Sequence, residues 1–114
     1  MRRDECAKEI LIRGLDDWIQ AAEVASVART VGGAKTNDEV RALSLSVVRD
    51  LLQHELMEPG TVEGRTFTPW SVSVRNAMLR IEAEWPSSKE SPGLGEICWL
   101  NLTDRGVREA QKLG

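Results

Sequence analysis

NDEVRALSLSVVRDLLQHEL, residues 37–56, decides how the rest of the chain can be arranged. At about 100° per residue, Val40, Leu43, Val47 and Leu51 fall on one stripe of a helix, and Leu45, Val48, Leu52 and Leu56 fall on the adjoining one. The merged apolar arc is wider than the stripe of roughly 100° that a surface helix needs, so the helix is expected to be packed on two sides with other elements around it. Thr36 followed three residues on by Glu39 is a capping-box pattern, and Asp38 adds negative charge near the positive end of the helix. What remains for solvent or a partner is a narrow strip of Glu39, Ala42, Ser46, Arg49, Asp50 and Gln53.

Upstream, the pattern predicts a helix over Arg3 to Arg13, with Cys6, Ile10 and Leu11 inward and Gly14 at a left-handed C-cap. Asp17 followed by Gln20 reads as a second capping box for a helix running to about Val31, which Gly32 and Gly33 end. Downstream, Pro59-Gly60 reads as a turn, and Thr61 to Glu63 and Thr66 to Thr68 as extended chain. Ser71 is expected to cap a fourth helix, Val72 to Trp85, on which Val74, Ala77, Met78, Ile81 and Trp85 recur at helical spacing and which Pro86 closes. SSKESPGLGE, residues 87–96, reads as a mobile polar loop. ICWLNL reads as a strand covered on both faces, after which Thr103 caps a last helix with Val107, Ala110 and Leu113 inward.

A chain of 114 residues is expected to form one domain over 1–114, large enough to bury roughly two thirds of its unfolded surface. Its formal charge is -3, and the halves on either side of Met57 are both mildly acidic, so a nucleic-acid footprint would have to be a local patch. Cys6 and Cys98 lack the spacing of a zinc or redox motif and read as reduced thiols of a cytoplasmic protein. No long apolar run is present, and MRRDECAKE leads into no signal-type segment; the expectation is a soluble, unexported protein without membrane contact.

Two resemblances follow from these residues. Three helices, a turn after LLQHELMEPG, a late strand and then LTDRG opening a helix resemble a winged-helix domain, with Leu102, Thr103 and Gly106 matching the LTxxG pattern after the returning strand. The departure from that pattern is a whole helix, Val72 to Trp85, where a wing hairpin would be short. LMEPGTVEG, FTPW, RIEAEW and GLGEICWLNLT, with DWIQAAEVASVAR upstream, are also similar to a family of small, largely uncharacterised bacterial proteins. That similarity implies a shared fold and no established activity.

Catalysis needs groups that can be tuned to it. His54 is the only histidine, there is no tyrosine, and His54 sits at a helix end where an imidazole reads as a packing or dipole partner. No metal-ligand spacing is found, and Gly60, Gly64, Gly93 and Gly95 make no phosphate-cradling pattern, so neither metal nor cofactor is expected and the chain reads as a non-enzyme. Trp18, Trp85 and Trp99 read as core residues, whereas Trp70, in a connection after Pro69, either seals the core edge or anchors a partner. A DNA-reading third helix would offer Arg49 with Ser46, Gln53 and Arg41 against Glu39 and Asp50, and Arg105, Arg108 and Lys112 on the last helix are offset by Asp104 and Glu109. The expectation is an α+β, winged-helix-like domain with five helices and a small antiparallel sheet. Its leading function is a non-catalytic protein-interaction or regulatory module contacting another protein through Trp70. The alternatives are a DNA-binding transcription regulator, with dimerisation able to assemble a basic patch, and an immunity-like or antitoxin-like inhibitor.

Overall fold

The computed structural model describes residues 2–85, 92–93 and 95–113. Along them run α1 (Arg3–Gly14), β1 (Ile19–Gln20), α2 (Ala21–Thr30), α3 (Asn37–Gln53), β2 (Met57–Glu63), β3 (Thr66–Pro69), α4 (Val74–Glu84), β4 (Trp99–Leu102) and α5 (Asp104–Leu113). The fold is α+β, with five helices and one four-stranded sheet among the described residues. The strand order is β1-β4-β2-β3, and every neighbouring pair is antiparallel. No described helix is long and apolar enough to cross a membrane.

Helix α3 is the centre of the molecule, in contact with α1, α2, α4 and β2. Its capping box forms as its sequence predicts: the Thr36 hydroxyl accepts the Glu39 N–H at 3.1 Å, and the Glu39 carboxylate accepts the N–H groups of Thr36 and Lys35, each at 3.0 Å. Those backbone donors, Thr36 first, hold the Glu39 carboxyl below its ordinary range. Val40, Leu43, Leu45, Val47, Val48, Leu51 and Leu52 are all buried. Burying one such side chain contributes about 1.5–3 kcal/mol, against propensity differences of at most about 0.7 kcal/mol per residue. Tertiary packing therefore dominates the stability of α3.

Ser44 lies among these residues with no exposure, and its hydroxyl has no partner among the described residues. An unpaired buried hydroxyl carries a desolvation cost of about 1–3 kcal/mol, which replacement by an apolar group of similar shape removes. Ser44→Ala is expected to leave stability unchanged or to raise it by up to about 1 kcal/mol in urea unfolding. A clear loss would mean that the hydroxyl has a bonding partner.

Several local expectations are overruled by long-range contacts. Pro59-Gly60 does not form a turn: both residues lie inside β2, opposite Leu100 and Trp99 of β4. Gly14 does not form a left-handed cap: it is the last residue of α1, and Leu15 continues in right-handed geometry, while Gly14 lies against Leu102. Asp17 does not box a helix. Its carboxylate accepts the N–H of Trp18 at 2.7 Å, and the next two residues are drawn into the sheet, Ile19 opposite Leu100 and Gln20 opposite Trp99. Helix α2 therefore starts at Ala21, without a side-chain cap. Ser71 is in left-handed geometry (φ 53°), and Ser73 caps α4 by accepting the Asn76 N–H at 3.1 Å.

Strand β4 begins at Trp99, two residues later than the ICWLNL run suggests, because Ile97 (φ 72°) forms a tight turn in which the Cys98 N–H reaches the Glu96 carbonyl at 2.9 Å. Nor is β4 covered on both faces: Leu100 and Leu102 are buried, while Trp99 and Asn101 are only half-buried. On α5, Gly106 and Ala110 face inward with Val107 half-buried, and Leu113 is exposed. Pro86 and most of the loop expected over residues 87–96 lie outside the described residues.

Candidate interaction surfaces

The polar strip of α3 is the first surface that the sequence singles out, and its neighbours already occupy it. Arg41 donates to two carbonyls at the end of α4, those of Glu82 (3.0 Å) and Trp85 (3.4 Å). Helix ends leave such carbonyls without intrahelical partners, so a guanidinium is well suited to donate to them. Arg49 pairs with the Glu82 carboxylate, again on α4. On the other side, Arg3 of α1 pairs with Asp50 at 2.9 Å and reaches the Ser46 hydroxyl at 3.4 Å. Gln53 is exposed, and with Arg49, Arg75 and Leu79 it borders a hollow of about 350 Å³ between α3 and α4. The structure thus brings Arg41, Arg49 and Gln53 to the α4 side and places Ser46 on the α1 side. Helix α4 is no loose cover, since Ala77, Met78 and Ile81 are buried in the core.

Trp70 is the second. Its main-chain N–H donates to the Pro59 carbonyl at 3.1 Å, and its indole N–H donates to the Thr61 hydroxyl at 3.1 Å. The Arg80 guanidinium lies 3.8 Å from the ring centroid and is itself paired with Glu84 at 3.3 Å. The indole is half-buried against the core with its polar handle satisfied and one face stacked by a cation. These contacts tie the end of β3 to α4.

Trp85 is buried as its position on α4 predicts, whereas Trp18 and Trp99 are only half-buried. By alternation along β4, Trp99 stands on the sheet face opposite buried Leu100. Phe67 leans over Gly60, where a Cβ would lie 2.5 Å from its ring, and meets Trp18 with ring centroids 6.0 Å apart. The aromatic residues missing from the core thus cover the outer face of the sheet.

A third surface is assembled from four elements and was not visible as a motif. Leu52, Met57 and Ala77 floor a cleft of about 490 Å³, with Pro59, Val72 and Val74 along its sides. Glu55, Glu58, Asp104 and Arg105 stand around its mouth. The end of α3 is built for this position: the Leu56 N–H returns to the Leu51 carbonyl (2.9 Å) and the Glu55 N–H to that of Leu52 (3.1 Å), with Glu55 at φ 57°. This is a Schellman closure with glutamate where glycine is usual. The Thr103 hydroxyl then donates to the Glu55 carbonyl at 2.6 Å and accepts the Gly106 N–H at 2.9 Å, joining the end of α3 to the start of α5. Because left-handed geometry strains a residue with a Cβ, Glu55→Gly is expected to stabilise the fold by up to about 1 kcal/mol in urea unfolding. A loss of stability would show that the glutamate side chain holds the turn.

The chain matches no protein-family model, no curated protein and no solved structure. Its chemistry has to be read from its own residues. His54 is the exposed C-cap of α3, with Nδ1 2.8 Å from the Asp50 carbonyl oxygen, as expected of a residue at a helix end. Cys6 and Cys98 are both buried free thiols, and burial pushes Cys98 up to about 12, far from the range in which a thiolate forms at neutral pH. Arg105, Arg108 and Lys112 are exposed on α5, with Lys112 paired to Glu109 at 3.3 Å. The signal for the third surface was present only in fragments: an apolar Val72 at the expected start of the fourth helix, and Asp104-Arg105 beside a capping threonine.

Proposed function

We propose that this chain is a non-catalytic protein-interaction module on a winged-helix-like frame. The frame is supported by chain order and strand order together: β1 falls between α1 and α2, α3 leads into β2, and β4 returns between β1 and β2. Helix α4 and strand β3 are the insertion. The observation that carries the functional reading is the engagement of the α3 strip by that insertion. A helix that reads DNA must present free cations and amides to phosphates and base edges. Here Arg41 and Arg49 are engaged by α4, which buried Met78 and Ile81 anchor in the core beside them. The net charge of -3 adds long-range repulsion from a polyanion. A non-catalytic role is supported by the buried thiols and by the exposed histidine at a helix end, whose ring meets a main-chain carbonyl and, among the described residues, no nucleophile.

The test is fluorescence anisotropy of mixed-sequence duplex DNA titrated with the purified chain, first at low salt and then as salt is raised. The expected result is no saturable binding at low salt, for the wild type and for Arg49→Ala alike. Binding that falls steeply with salt and is weakened by Arg49→Ala would instead establish a phosphate footprint on α3 and favour a DNA-binding regulator.

A further inference from the structure

We propose that the cleft between α4, β2 and the start of α5 is a docking site for a basic protein segment that inserts an apolar side chain and carries Lys or Arg beside it. The inference rests on the interaction-module reading and names the partner chemistry. The cleft itself supplies the apolar contact. Its floor is hydrocarbon, its volume of about 490 Å³ admits side chains from outside, and Val72 at its lip is 51% exposed. An apolar residue seated there would take Val72 and the floor out of water together, as the central anchors of protein interfaces do.

The charged half is the mouth. Three carboxylates, Glu55, Glu58 and Asp104, face one guanidinium, Arg105. Elsewhere on the surface Glu5, Glu9, Glu23, Asp50, Glu82, Glu84 and Glu109 each have a cation of this chain as partner, while Asp4, Asp16, Asp38 and Glu63 stand singly on the surface with no ion pair among the described residues and border no comparable apolar cleft. Among the described residues, Glu55, Asp104 and Arg105 enter no ion pair, and Glu58 receives only a 3.4 Å contact from the Asn101 amide. A cationic partner meets carboxylates with no competing intramolecular pair to break, whereas an acidic one meets like charge. Glu55 holds its place in left-handed geometry, where glycine would be unstrained, so the carboxylate at the mouth is kept against a local cost.

Selection of a displayed random-peptide library on the immobilised full-length chain tests this, followed by titration of single enriched peptides against wild type, Val72→Lys, Glu55→Gly and Trp70→Ala. Enriched sequences are expected to place an apolar residue within a few positions of Lys or Arg and to bind more weakly as salt rises. Val72→Lys, at an exposed position, is expected to weaken binding about tenfold or more. Glu55→Gly is expected to weaken it several-fold while raising the melting temperature, a combination that loss of folding cannot produce. Trp70→Ala is expected to leave the peptide affinity unchanged. Peptides that bind the two cleft variants as well as wild type, or that are enriched in acidic residues, would overturn the cleft assignment and leave the interaction module standing. A selection that enriches nothing would also remove the cleft as a peptide site, and the DNA titration would then decide the module reading separately.

Discussion

Gly106→Ala is expected to destabilise the protein by about 3 kcal/mol or more, at the upper end of overpacking effects, and to lower the melting temperature by roughly 10 °C or more. A Cβ at this position would lie 1.9 Å from the Leu56 carbonyl oxygen and 2.9 Å from its carbonyl carbon. Both are main-chain atoms that cannot swing aside. The same carbonyl accepts the Thr103 N–H at 3.1 Å, and the Leu56 N–H closes α3 onto Leu51. Relieving the clash therefore means lifting α5 off the end of α3 or opening the start of the β2–β4 ladder. Thermal unfolding followed by far-UV circular dichroism measures the effect. A shift within about 2 °C of wild type would show that α5 does not press on Leu56, and the junction described at Thr103 would be wrong.

The second large effect belongs to the central helix. Leu51→Ala is expected to cost about 3–5 kcal/mol, from lost transfer free energy together with the cavity left in a packed site. Leu51 is 1% exposed on a helix that touches three other helices and β2, so neighbours on several sides would have to collapse together to fill the space. A domain has only about 5–15 kcal/mol to lose. Arg49→Ala on the same helix removes a partly exposed ion pair and is expected to cost at most about 1 kcal/mol. Urea unfolding of the two variants separates core from surface on one element. A Leu51→Ala loss no larger than that of Arg49→Ala would remove α3 from the centre of the fold.

These contrasts show which parts of the molecule could be read in advance. The centrality of α3 follows from the width of its apolar arc, and its start follows from Thr36 and Glu39, since a capping box is complete within four residues. Thr103 likewise caps α5 using its own neighbours. The β2–β3 hairpin, of which only the two extended stretches were expected, also closes locally: Gly64 (φ 61°) opens the two-residue loop between Glu63 and Thr66, a geometry that favours glycine. Asp17 fails as a cap for the opposite reason. The pairing of Ile19 with Leu100 spans most of the chain and outweighs a local bond.

The same division runs through the candidate sites. Ser46, Arg49 and Gln53 could be named from the strip that the apolar arc leaves over, with Arg41 beside it, but the partners of Arg41, Ser46 and Arg49 come from α1 and α4, more than thirty residues away. Trp70 could be named as an indole in a connection, while Thr61 and Arg80, which hold it, belong to β2 and α4. The acidic cleft has no counterpart in any one stretch, because its floor and mouth come from α3, β2, α4 and α5.

The sequence by itself determined the five helices, the central place of α3, its capping box and the acidic balance, and it marked Thr61 to Glu63 and Thr66 to Thr68 as extended chain, while the turn expected at Pro59-Gly60 lies inside β2. Each depends on residue periodicity, on hydrogen bonds closed within a few residues, or on a sum over composition. Tertiary structure alone decided that α4 occupies the polar strip of α3, that Trp18 and Trp99 stand outside the core, that Gly106 is required by a carbonyl fifty residues earlier, and that an apolar cleft opens between unpaired carboxylates. Those outcomes depend on which distant surfaces meet, and that is set by burial and strand register across the whole chain, not by the preferences of any one segment.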